Sequence, residues 1–421
     1  MTSLLEYFVM ALGTLFTLYS VYWGTVLISG GYVLWKGRKT APSGDSYGEL
    51  PFVSVLVAAR NEASVASRLI GSLKSLTYDP SKVEFIIVED NSTDGTFERL
   101  RDSVKGDGRF RVLHIDNSSG KPGALNEGLR LARGDLIFVM DADCVPEQDI
   151  LLKAARARSE GKHVLVGYFR IVNSSQNLLT RLAVFEELLW RVMSAGRTRL
   201  GLSVPMSGCC TVVSREALLK VGYEFKANLT EDAELGMRLL KAGYPGYYLD
   251  SFVWQEAPST LGTLVKQRIR WYRGYLETAL AHYDVFRYAQ LKKALDSMLM
   301  LSTPFFALLT FLSYIFSVAS LPQTASSLTL LLFVVGFLGM NLLSLLVLNL
   351  GLALIWGHSA SQMVRFTPLV YLYTTLISIT SVVAIFQMLM KRKQGWTKTE
   401  RSGYVDVPMM AEISARGKQP P

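Results

Sequence analysis

Two long stretches without formal charge bracket this chain and limit what it can fold into. From Tyr7 to Trp35 there is no Asp, Glu, Lys or Arg, and between Ser297 and Met390 the sole such residue is Arg365. A bilayer span needs about 20 consecutive apolar residues, so both stretches are long enough to cross one. The first outruns the apolar core of a signal peptide and ends in Lys36-Gly37-Arg38-Lys39, which reads as a retained anchor over residues 1–40. Positive flanks stay cytoplasmic, which places the N-terminus outside and residue 36 onward inside. The second divides at "PQTASS" and "HSASQMVR" into three spans, 297–321, 327–356 and 366–390. One span followed by three leaves the tail outside. Lys391-Arg392-Lys393 and the basic "GWTKTERSG" look cytoplasmic instead, so either 327–364 is a hairpin or re-entrant pair or the positive-inside rule fails here. Residues 403–421 carry no readable function.

Between the two stretches lies enough chain for one sizeable core. At 50% hydrophobic and 19% charged, the whole is a hybrid of membrane and soluble parts. The net charge of +9 comes without any nucleic-acid-binding signature. Lysines and arginines beside lipid headgroups explain it more simply, so membrane lipids rather than nucleic acid are the expected partners. Cys144, Cys209 and Cys210 give neither a disulfide framework nor metal-ligand spacing, and suit a reducing cytosol. The N-x-S/T triplets at Asn91, Asn117, Asn173 and Asn228 would signal glycosylation only on an outside domain.

Residues 52–58, 83–88, 109–115 and 135–140 are short apolar runs rich in β-branched residues, most without two-residue alternation, as strands buried on both faces require. Amphipathic stretches separate them, so an α/β fold with a mostly parallel, doubly wound sheet is expected. Acids and amides follow the strands: Asn61 and Glu62, then Glu89, Asp90 and Asn91, then Asp141 and Asp143. Ligands of such sheets bind beyond the carboxyl strand ends. For Asn91, Ser92 and Asp94, turn formation and helix capping explain the residue types equally well. Asp141 and Asp143, at i and i+2 beside a strand end, repel one another unless a cation joins them. Their oxygens suit Mg2+ or Mn2+ carrying a phosphate-bearing substrate. A P-loop and a G-x-G-x-x-G after the first strand are both missing, and "GDSYG" at 44–48 precedes the first strand instead of forming a nucleophile elbow.

Residues 228–243 read as a helix with Thr230 at the N-cap, Gly243 at the stop, and Glu231 and Asp232 in the first turn. Acids there favour the helix dipole; the sharper reading makes Asp232 a general base. In "KQRIRWYRG", Leu261, Val265, Ile269, Tyr272 and Leu276 form an apolar helical stripe, and Gln267, Arg270 and Trp271 share the opposite face. Lys266, Arg268 and Arg273 edge the stripe, where lipid headgroups account for them. Gln267, Arg270 and Trp271 fit a polar cavity instead, a guanidinium for phosphate and an indole for a sugar ring.

Seven segments in order, "AARNE", "VEDNSTDGT", "GKPGALNEGL", "DADC", "MSGCC", "TED" and "QRIRW", resemble membrane-bound family 2 glycosyltransferases. The resemblance implies a GT-A domain over 50–258, interfacial helices over 259–296 and an inverting reaction with a nucleotide-sugar donor, UDP-linked. It assigns Ala59, Glu62, Asp90 and Lys121 to the donor, Asp141 and Asp143 to the metal-diphosphate, and Gly208 and Cys209 to the acceptor. The "TED" segment supplies Glu231 and the base Asp232. Gln267, Arg268, Arg270 and Trp271 match the Q-x-x-R-W motif, which grips diphosphate and acceptor sugar. Similar motifs occur in synthases of cellulose, chitin, hyaluronan and poly-N-acetylglucosamine and in ceramide glucosyltransferases. A chain-elongating synthase is favoured over single-sugar transfer to a lipid, with oligomers or accessory subunits completing any polymer channel. A catalytically dead nucleotide-sugar sensor is the remote alternative.

Overall fold

The computed structural model describes residues 4–37, 49–117, 120–309 and 360–390, with 311, 312, 315, 331, 404 and 405. The four apolar runs form strands β1 (Val53–Ala59), β2 (Val83–Asp90), β3 (Phe110–Ile115) and β4 (Leu136–Asp141). Every residue of β2 is buried, which is why no alternation marks it. Val53, Val55 and Val57 face one core with Leu69, Ile70 and Leu73 of helix α2 (Ala66–Lys74). Leu56, Ile86 and Val88 face the other with Ala124, Leu125 and Leu129 of α4 (Gly120–Leu131), which follows α3 (Thr96–Ser103). Two covered faces make the first half of the sheet a parallel α/β unit.

Four further strands complete an eight-stranded sheet: β5 (Val145–Pro146), β6 (Val164–Ile171), β7 (Thr211–Ser214) and β8 (Gly246–Gln255). The order is β3-β2-β1-β4-β7-β6-β8-β5. β1 pairs in parallel with both β2 and β4, whereas β7 runs antiparallel to β4 and β6, and β5 antiparallel to β8. The strand order reverses at β1 and β4, which opens a crevice at their carboxyl ends. Register sets Ala58 opposite Asp141 and Ala59 opposite Glu89 at that edge.

Helices α5 (Ile150–Ser159), α7 (Arg215–Lys220) and α8 (Glu231–Lys241) pack on the sheet, and α6 (Leu178–Arg199) lies along α1 (Leu4–Gly37). α9 (Leu261–Ala281) carries the arginine-rich segment, and α10 (Leu291–Leu301) follows. The apolar run expected to begin at Ser297 thus starts inside a helix already formed by Leu291. Arg197 of α6 is fully buried, 3.2 Å from Asp296 of α10 and 3.2 Å from the Tyr22 hydroxyl of α1, with its guanidinium over Trp23. Tyr22 also donates to Asp296. Three distant segments are joined there by one charged cluster.

Among the described residues, one helix is long and apolar enough to cross a membrane, Thr367–Leu389 within α11 (Ala360–Leu389). The expected span 327–356 apart from residue 331, residues 316–321 at the end of the span 297–321, and Lys391-Arg392-Lys393 lie outside the described residues. Of the tail, Tyr404 stands 3.5 Å from the Ser175 hydroxyl, and Val405 packs on Val145, Tyr168, Phe252 and Trp254.

Removing one partner of a buried ion pair strands the other charge, so Arg197→Ala is expected to cost about 3–5 kcal/mol. A lowered thermal unfolding midpoint in detergent, with Asp296→Asn in the same background restoring part of the loss, is the measurement.

Candidate active site

The crevice is a cleft of about 330 Å3 bounded by the carboxyl ends of β1, β2 and β4, by α6, by the start of α8 and by α9. At the β1 end it is lined by Ala59 and Glu62, at the β2 end by Asp90 and at the β4 end by Asp141 and Asp143. Strand alternation separates Glu89 from Asp90. Glu89 is fully buried and accepts from His114 (2.5 Å) and from the Ser92 amide, while Asp90 faces the cleft beside Arg60 (3.8 Å). Asn61 and Asn91 turn at positive φ, 54° and 50°, where asparagine is among the tolerated residues. Ser92 accepts from the Asn61 amide (2.9 Å), and Asp94 accepts from Ala63 and Thr96 (both 3.1 Å). Ser92 and Asp94 therefore build the loop that holds the cleft edge.

Asp141, Asp143 and Cys144 bring one ligand atom each to within 4.8 Å of one another. Two carboxylate oxygens on one short turn suit a hard divalent cation. The Cys144 sulfur, 1% exposed and packed in the core, is a poor match for Mg2+.

Lys121, from the first turn of α4, reaches across the cleft. Its Nζ lies 2.7 Å from Asp141 and 2.8 Å from Glu231, joining the strand-end acids to the α8 acids. Burial opposes the charge on this lysine, but the two carboxylates outweigh burial and hold its pKa well above the usual lysine range. Asp232, one residue on, accepts from the Gly208 amide (2.7 Å) and the Ala233 amide (2.8 Å). Burial first, and the Glu231 charge second, raise its carboxyl to about 6 against the opposing pull of Lys121. A Cβ on Gly208 would stand 2.9 Å from Lys121 Nζ and 3.4 Å from Asp232 Oδ2, so a larger residue there would push the ammonium from its place. Burial and the Asp141 charge push the neighbouring Cys209 thiol up to about 12, which keeps it neutral.

Helix 228–243 begins and ends close to expectation, at Glu231 and Lys241, but the Thr230 side chain does not cap it. The Thr230 methyl and hydroxyl instead meet α9 at Gly274, where a Cβ would come within 2.6 Å of both. That close approach brings α9 against the start of α8, with Arg270 and Trp271 lining the same cleft as the α8 acids. Gln267, Arg268, Arg270 and Trp271 all line the cleft. Arg270 donates to Leu229 O (3.1 Å), leaving most of its five N–H donors for a ligand.

The placement of Arg268 and Arg273 among lipid headgroups is corrected. They are 5% and 9% exposed, because Arg268 pairs with Glu186 of α6 and Arg273 with Glu277 (2.7 Å). Lys266 does stay exposed. The cleft also contains a wall with no counterpart in the sequence expectations. Glu186, Leu189, Trp190 and Met193 recur at helical spacing on α6 and face the acids across the opening. Their i, i+3, i+4, i+7 pattern was the available signal, but it does not distinguish a cleft wall from a core stripe.

Residues 54–222 match the family model Glycosyl transferase family 2. A β-monoglucosyldiacylglycerol synthase of Nostoc sp. is 30% identical over 74% of this chain and 68% of its own length. A poly-β-1,6-N-acetyl-D-glucosamine synthase of Staphylococcus aureus is 30% identical over 56% of this chain and 57% of its own. The chain spans between 56% and 68% of the length of the curated relatives it matches. A mannosyltransferase from Pyrobaculum calidifontis, solved with GDP-Man and Mn2+, superposes with a TM-score of 0.63 over 93% of this chain and all of its own. At 17% identity this likeness shows a GT-A-like fold alone. With the family match covering the strand ends that build the cleft, and a relative aligned along most of both chains, this chain belongs to glycosyl transferase family 2.

Proposed function

We propose that the cleft moves one sugar from a nucleotide-sugar onto a hydroxyl of a membrane lipid, with inversion at the anomeric carbon. The observation carrying this reading is the convergence on one opening of the β4 acids, Lys121, Asp232 and the α9 arginine–indole pair. Asp232 takes the acceptor hydroxyl proton as that oxygen bonds the anomeric carbon. The bond from that carbon to the diphosphate oxygen breaks on the opposite face, and the departing diphosphate keeps the electron pair. Lys121 and Arg270 stabilise the charge that develops there. Ala59, Glu62 and Asp90 seat the nucleoside. Glu231 fixes Lys121 and keeps the Asp232 carboxyl basic, while Gly208 and the neutral Cys209 leave room for the acceptor. Asp141 and Asp143 would hold Mg2+ or Mn2+, which when bound neutralises diphosphate charge.

A lipid acceptor is favoured by the apolar side of the cleft. Trp190, Met206 and Tyr275 line it and also a second cavity bounded by Met237, Leu240, Met300 and Leu301, which leads toward the apolar C-terminal run. The relative aligned over most of this chain is also named for a lipid product. Chain elongation is the second reading, supported by Trp271 as a sugar-stacking face and by the polysaccharide synthase among the relatives. Purified protein given radiolabelled donors, with Mg2+ and Mn2+ in parallel, is expected to yield one solvent-extractable glycolipid. A ladder or polymer instead establishes elongation.

Asp232→Asn is expected to abolish transfer while donor binding persists, and to unfold at the same or a higher temperature, since it removes a charge that burial disfavours. A base must be ionised to act. Because the Asp232 carboxyl is raised to about 6, transfer should fall as pH drops through about 6 and not near the ordinary aspartate value. A rate profile flat down to pH 5 would remove Asp232 from the reaction.

A further inference from the structure

Arg268 and Arg270 sit two residues apart on α9 and both line the cleft, yet their surroundings differ. Arg268 Nη2 donates to Glu186 Oε2, and Glu186 Oε1 accepts from the Tyr373 hydroxyl of α11 (3.1 Å). Both carboxylate oxygens of Glu186 are thus engaged by the protein, which fixes this acid in the cleft wall. The pair Arg268–Glu186 is neutral as a unit. A diphosphate in the cleft would meet Arg270 as a cation and Arg268 as half of an ion pair. The Arg268 guanidinium instead lies over the ring of Trp271, 4.3 Å from its centroid, at i+3 on the same helix. Its Nε has no hydrogen-bond partner among the described residues, so Glu186 and the indole fix its orientation.

We propose that Tyr373, Glu186 and Arg268 form a relay through which helix α11 fixes the indole of Trp271, making them positioning residues for the acceptor. The packing agrees with this direction of support. Tyr373 is 3% exposed and, with Val370, joins Leu182, Leu188 and Leu264 in one cluster that locks α11 to α6 and α9. α11 holds Tyr373, Tyr373 and Arg268 hold Glu186, and Arg268 caps the indole. This departs from the donor role that the Q-x-x-R-W resemblance implies for Arg268 and leaves that role to Arg270.

The kinetic test rests on the glycolipid reading, with full-length protein, UDP-glucose as donor and dioleoylglycerol in mixed micelles as acceptor. Tyr373→Phe removes one hydroxyl, Glu186→Gln removes the charge, and Arg268→Lys keeps the charge but loses the planar stack. Each is expected to raise the KM for dioleoylglycerol roughly three- to tenfold while the KM for UDP-glucose stays within about twofold. Arg270→Lys should do the reverse. A rise in the UDP-glucose KM of Arg268→Lys, or unchanged KM values in all three, overturns the relay. If the unmodified protein turns over neither substrate, the failure belongs to the glycolipid reading, and fluorescence still tests the relay. The emission difference between the protein and Trp271→Phe isolates this indole. Glu186→Gln and Tyr373→Phe should each raise its quenching by acrylamide, and an unchanged difference overturns the proposal.

Discussion

Four carboxylates, Asp141, Asp143, Glu231 and Asp232, share one cleft, and Lys121 stands between two of them, pairing with Asp141 and Glu231. Acids gathered at this spacing repel one another unless a cation intervenes. The lysine is placed by the first turn of α4, so the helix after β3 supplies charge to the end of β4 and the start of α8, which are distant from one another in sequence. The cost of burying that ammonium is offset by two carboxylates, and the same arrangement leaves Asp232 less well compensated than Glu231. An aspartate that is hydrogen-bonded yet reluctant to ionise is what proton abstraction near neutral pH requires.

The second constraint is steric. α9 approaches α8 through Gly274 against Thr230, and its polar face is turned into the cleft by that contact. A helix free to lie on a lipid surface would present one apolar stripe and leave its arginines in water. Here carboxylates from α6 and from the helix itself take Arg268 and Arg273 inside, and the helix is buried on several sides. The neutralised arginine orients the indole and the less encumbered one faces the acids, a division of labour between neighbours of identical chemistry.

That division explains what was legible in the chain and what was not. β1 to β4 could be read because strands covered on both faces are short β-branched runs, and topology then carries their terminal acids to one edge. β5, β6, β7 and β8 have weaker marks: β5 is two residues, β7 is four, and β6 pairs with β8 through a register shift between Val166 and Tyr168. Asp90, Asp141, Asp143, Lys121, Glu231 and Asp232 could be placed in one opening because each ends or follows a strand or lies in the first turn of a helix. Arg268 could not be read, since its partner Glu186 is 82 residues away and no local pattern connects them. Ser92 and Asp94 could be read either way until their hydrogen bonds to Asn61 and Ala63 were seen.

The tail poses a question of parity. Tyr404 lies beside Ser175, and Val405 packs on Trp254 and Tyr168, so these residues occupy the same side as the cleft. For a chain that crosses a bilayer, return to the starting side after Asp296 requires an even number of crossings, and three full spans do not satisfy it. The basic segment Lys391-Arg392-Lys393 points the same way, since cationic flanks stay on the cytoplasmic side. Where the chain crosses a bilayer, the docked tail and the charge rule therefore agree with each other in placing Tyr404 and Val405 on the side of the cleft.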